Sequence, residues 1–246
     1  MSGGAKWSAP RSVPLKFRIR GAEMNRLEAV SDVVFGFALT LLVVSLQVPR
    51  TYADLIEVMR GFPAFALTFA LLMVVWVRHY YFFRYYGLDD PVTIVLNTML
   101  LFVVLFYVYP LKFTFNIWLA PLTGSRIDPS TTMASSDSRG LMVIFGSAFA
   151  AVYLVFGAML WHASRMRDPL GLSAFEVART EWSLAAQLLN AGVGLLSIVV
   201  ALLLAPEKGG YAGYVYLLSP VALNIHGRLW RRRRRALEEE LAPRPL

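Results

Sequence analysis

Apolar stretches of about twenty residues, the length that carries an α-helix across roughly 30 Å of hydrocarbon, recur along this chain and decide what it can fold into. A soluble core has no use for so many. Hydrophobic residues make up 57% of the 246 and charged residues only 16%, with a mean hydropathy of +0.54, so much of the apolar surface must face lipid. A membrane β-barrel would instead show shorter segments alternating between lipid-facing and lumen-facing residues. The runs here are continuous, and the fold class they predict is an all-α integral membrane protein.

The chain has no cysteine, which excludes disulfides, thiol catalysis and thiolate metal sites. Its net charge of +8 sits in short clusters beside the apolar runs, where membrane orientation and anionic headgroups account for it better than nucleic acid does.

Six spans are predicted. The first covers residues 29–48 and stops before Pro49; the second covers 62–81, extending toward Tyr86. The third opens on Asp89, Asp90 and Pro91 and runs through Asn97 and Pro110 to Phe115. Residues 123–139 read as a loop, 141–161 as the fourth span, 164–181 as a polar, basic connection, and 184–204 as the fifth span. The sixth, 211–225, is short and carries Pro220, which predicts a kink or a partly interfacial course. Before the spans, residues 1–21 hold Pro10 and Pro14 but no signal-peptide core, and read as a flexible arm. Three regions result: a basic arm over 1–25, a six-helix membrane domain over 26–226, and a basic then acidic tail over 227–246.

An even number of spans puts both termini on one side. That side then carries 18 of the 24 Lys and Arg, leaving 6 on the other, so the positive-inside rule predicts cytoplasmic termini in the cell membrane. The run Arg231 to Arg235 reads as a topological anchor.

Arg26-Leu-Glu-Ala-Val-Ser-Asp32 heads the first span. A carboxylate there needs a partner. Six residues at 100° each place Arg26 and Asp32 about 120° apart, so both are expected to bond another helix or subunit unless they are simply a flank and a helix-start residue. Further along, Phe37, Leu41, Val44 and Val48 form one stripe, with Thr40 and Gln47 on the same face. Packing against a neighbouring helix, with Thr40 bonded to its own backbone, explains such a stripe as well as a functional lining does.

Arg26-x-x-x-Val-Ser-Asp32, then Ala38-Leu-Thr-Leu-Leu-Val43 and Pro49, resembles the first helix of the prokaryotic transmembrane protein 175 family, relatives of the endolysosomal potassium channel. Trp76-Val-Arg-His79-Tyr-Tyr-Phe-Phe83 is similar to that family's Trp-x-x-His-x-x-x-Phe, and Asn97 and Pro110 follow in order. The similarity is closest over residues 26–113. Val30 departs from the family's Phe, and Gly36-Phe37 sets a bulky ring on the stripe.

The resemblance implies a homotetramer in the lipid bilayer whose first helices surround a central path. Phe37, Leu41 and Val44 would then form apolar constrictions, Thr40 hydroxyls would offer oxygen to a dehydrating ion, and Arg26, Ser31, Asp32 and His79 would form a polar network holding the pore helices. The implied function is a potassium-preferring cation channel with potassium as the permeant ligand, no cofactor and no metal beyond that ion. A Thr-Val-Gly-Tyr-Gly filter is absent from the sequence. The alternative is a secondary or proton-coupled carrier, since an intramembrane Asp and His can relay protons, although no inverted repeat supports it. An enzyme is disfavoured because His79, His162 and His226 are scattered without metal-ligand spacing; His162 and His226 read as interfacial.

Overall fold

A computed structural model describes residues 16–46, 48–124 and 137–240, with 238–240 described in backbone only; Gln47 and most of the 123–139 loop lie outside these residues. The helices are α1 (Arg26–Val44), α2 (Tyr52–Tyr86), α3 (Pro91–Thr123), α4 (Asp137–Arg165), α5 (Ala174–Leu203) and α6 (Leu218–Glu240), with a 3₁₀ segment (Pro206–Leu217) leading directly into α6. The first five are long and apolar enough to cross a membrane. Their starts are written in short polar residues. The Asn25 side chain accepts from the Glu28 N–H, Thr51 with Asp54 and Ser173 with Glu176 form capping boxes, and Asp90 caps α3 ahead of Pro91.

Those caps lie outside the apolar runs, so several helices outgrow the predicted spans. The polar connection over 164–181 holds the end of α4, a short turn and the first two turns of α5. At α1 the correction goes the other way: the helix ends at Val44, and Val48 is not on it. Lys112 of α3 donates from Nζ to the Ser45 carbonyl at 2.9 Å and to its Oγ at 2.7 Å, placing a cation against the negative end of the α1 dipole.

The bundle has two ends. At the arm end, residues 16–25 meet the end of α2, the turn before α3, the α4–α5 turn and the start of α5, and the end of α4 bonds Asp90 before α3; at the far end lie the end of α1, the start of α2, the end of α3 and the start of α4. The described part of the arm is docked rather than flexible. Arg20 pairs with buried Glu176 at 2.8 Å and reaches the Leu170 carbonyl, while Arg84 donates to the Gly21 and Ala22 carbonyls. Gly87 ends α2 at φ 60°, and its missing Cβ leaves room for the Arg20 and Gly21 backbone.

Small residues bring α4, α5 and the 3₁₀ segment together. Gly146 and Gly194 face each other with carbonyl contacts a side chain would crowd, and Gly209 abuts the Arg139 backbone. The sixth segment also departs from expectation. It is not one helix over 211–225; the 3₁₀ segment packs from the far end beside Ser197, whose hydroxyl donates to the Ala212 carbonyl at 3.0 Å, and α6 continues along α5. Ser219 bonds Asn190, His226 bonds the Trp182 carbonyl at 2.9 Å and stacks on its ring, and Trp230 packs against Phe175 at the arm end. The arginine run therefore stands on a helix through Glu240, crossing the boundary drawn at 226/227.

Candidate functional site: the two faces of the first helix

Helix α1 has a fastened face and a bare face. Ser31 is fully buried and donates its hydroxyl to the Leu27 carbonyl at 2.7 Å, leaving its oxygen to accept from the Asn97 amide of α3 at 2.8 Å. With the amide nitrogen so used, the Asn97 oxygen faces His79 Nε2 of α2 at 2.8 Å, which assigns the proton to Nε2. His79 and Asn97 are also fully buried. One directed chain, His79 to Asn97 to Ser31 to the Leu27 carbonyl, thus ties three helices together where no water competes. Phe35 and Phe83 pack on the His79 ring at 5.4 and 4.7 Å between centroids.

Asp32 sits beside this chain rather than in it. Its Oδ1 accepts from Trp76 Nε1 of α2 at 2.8 Å, so the interhelical alternative holds for Asp32. Arg26 departs from the expected network. It is exposed and has no hydrogen bond or ion pair with any described residue, because its position on α1 points away from α2 and α3.

The other face carries Phe37, Thr40, Leu41 and Val44. Phe37 is 62% exposed and Val44 71%, Thr40 is exposed and Leu41 half-buried, so the described residues leave most of this stripe uncovered. Thr40 Oγ1 donates to the Gly36 carbonyl at 2.9 Å. That bond occupies the hydroxyl proton and leaves the oxygen lone pairs as the outward-facing feature. The two faces are linked by helix periodicity: Ser31, Phe35, Ala38 and Leu42 are buried at spacings of three and four, and the stripe occupies the opposite arc.

Sequence reasoning left Asn97 and Trp76 without roles, although both stand in the quoted motifs; what revealed them is their convergence from separate helices on Ser31 and Asp32. His162, read as interfacial, bonds Asp90 Oδ2 at 2.9 Å. Burial pushes the Asp90 carboxyl up, but hydrogen bonds from Thr93 and His162 outweigh it and hold the group below its usual value of 3.8. Among the described residues no group of His, Asp and Glu is arranged to hold a metal ion.

Residues 26–107, the part of the chain that contains both faces of α1 and all of this network, match the family described as endosomal/lysosomal potassium channel TMEM175. A potassium channel of Marivirga tractuosa is 38% identical over 236 residues, covering 91% of this chain and 94% of the relative. The chain belongs to this family. TMEM175 relatives include a potassium channel of Chamaesiphon minutus, 29% identical over 151 residues, covering 58% of this chain and 67% of that one. A crystal structure of a variant of the potassium channel MtTMEM175, in complex with a Nanobody-MBP fusion protein, superposes with a TM-score of 0.78 at 36% identity, covering 89% of this chain and 99% of the other. The TMEM175 family is one of membrane channels and not of enzymes.

Proposed function

We propose that this chain forms a potassium-preferring cation channel, a homotetramer whose α1 helices surround the ion path through their bare faces. The observation that carries the reading is the division of α1: one face is bonded to α2 and α3 through Ser31 and Asp32, and on the opposite one the described residues leave Phe37, Thr40 and Val44 exposed and Leu41 half-buried. Family membership supports potassium as the permeant ion, since the named relatives are potassium channels. In a tetramer, Phe37, Leu41 and Val44 would stack as apolar rings that narrow and dewet the path, and four Thr40 oxygens would replace part of the ion's hydration. Ser31, Asp32 and His79 act at a distance from the ion by holding each α1 at a fixed rotation; Arg26, exposed at the helix start, faces the pore mouth or a neighbouring subunit.

The sixth crossing in this reading is composite. Twelve residues of 3₁₀ helix rise about 24 Å and the first nine of α6 about 13 Å, together enough for the hydrocarbon layer. The test is potassium flux from liposomes containing the purified protein under a potassium gradient. Flux that saturates as a carrier's does, or its absence with intact tetramers, would overturn the proposal.

A further inference from the structure

At the far end of the bundle, α3, the start of α4 and the 3₁₀ segment enclose a groove of about 560 Å³. Glycines shape it. Gly213 sits against the Trp118 ring, where a Cβ would collide, and Gly210 contributes no side chain to the lining. The groove is graded along the bundle axis. Glu207 and Lys208, both exposed, mark its rim, and half-buried Ile117 and buried Met142 belong to its apolar lining, which extends to Leu217 at the end of the 3₁₀ segment. Ten residues of 3₁₀ helix separate Glu207 from Leu217, a rise of about 20 Å, which is comparable to the distance from headgroup to the middle of a bilayer. Tyr211 and Tyr214 line the groove and are 61% and 68% exposed, so it opens sideways toward lipid.

The rim carries both signs of charge. Glu207 and Lys208 are exposed, and neither side chain pairs with another described residue. An ammonium suits a phosphate and a carboxylate suits a headgroup amine, so the pair complements a zwitterionic headgroup better than an anionic one.

We propose that this groove is a binding site for a zwitterionic phospholipid of the phosphatidylethanolamine type, with one acyl chain along Trp118 and Leu217, the phosphate on Lys208 and the amine on Glu207. The site does not depend on the channel reading, only on the membrane setting. The experiment is native mass spectrometry of the detergent-solubilised full chain titrated with phosphatidylethanolamine and phosphatidylglycerol of matched acyl chains. Wild type should bind one phosphatidylethanolamine per subunit and prefer it over phosphatidylglycerol by roughly tenfold, the scale of one charge-assisted contact. Gly210→Leu fills the groove and should abolish binding of both. Lys208→Gln should weaken both, whereas Glu207→Gln should remove only the preference. Unchanged binding by Gly210→Leu, equal binding of the two lipids by wild type, or no uptake by wild type because another part of the chain fills the groove would each overturn the proposal. If Gly210→Leu does not fold, the Glu207 and Lys208 variants decide it, since both side chains are exposed and lie outside the core.

Discussion

Asn97 holds the junction of α1, α2 and α3 with a single amide that donates to Ser31 and accepts from His79. Asn97→Leu would leave buried His79 without a hydrogen-bond partner and take from Ser31 the donor to its oxygen, while Ser31 keeps its bond to the Leu27 carbonyl, a loss of about 1–3 kcal/mol. Thermal melting in detergent should show that loss, and near-wild-type melting would mean the chain is not what fixes α1. If α1 lines the path in the proposed tetramer, steric narrowing by Phe37 opposes the attraction of its π-face for a cation, and four inward rings would leave little room for a hydrated ion. Phe37→Ala should therefore raise unitary conductance. Thr40→Ala should leave conductance but lower the potassium-to-sodium permeability ratio, by about tenfold if the four oxygens contribute about 1.4 kcal/mol to the discrimination. Single-channel currents and reversal potentials measure the two effects separately. If both variants behave as wild type while substitutions on another helix alter permeation, α1 does not line the path.

At the scale of elements, the arm end is held by contacts between segments that have little helix in common. Arg20 is 15% exposed and its partner Glu176 is fully buried, with Arg18 N–H and Ser173 N–H also donating to the Glu176 carboxylate. Arg20→Ala would strand a buried carboxylate and should destabilise by about 2–3 kcal/mol, somewhat below the loss for a fully buried pair because water reaches the arginine. Adding Glu176→Gln to Arg20→Ala should recover part of that loss, which a double-mutant cycle in thermal melts would read out. The Asp90 and His162 pair, joining α3 to α4, gives a pH dependence. Since the folded carboxyl lies below 3.8, its contribution is present above that pH and is lost as pH falls through the depressed value. The melting-temperature gap between wild type and Asp90→Asn should accordingly be constant above about pH 5 and narrow as pH falls below about 4. A gap that does not narrow at all on acidification would show that the contribution does not come from the charge.

For the whole molecule, the 18 to 6 distribution of Lys and Arg, together with the sixth crossing proposed above, predicts that both termini lie on the cytoplasmic side. Protease protection of tags at the two ends should find them together on that side. Tags on opposite sides would exclude six crossings. The five long spans were legible in the sequence because a lipid-facing helix must be apolar almost all round, a demand each residue meets without knowing its neighbours. Caps such as Ser173 and Glu176 were legible only as polar residues, since whether they start a helix depends on the backbone they meet. The sequence alone could show that Asp32 needs a partner and that Phe37, Thr40, Leu41 and Val44 share a face. Only the tertiary structure decided that Trp76 is that partner, that Asn97 connects Ser31 with His79, that Arg26 stands apart, and that Arg20 reaches Glu176. Those pairings join residues tens to more than a hundred positions apart, and local periodicity carries no information about which helices become neighbours.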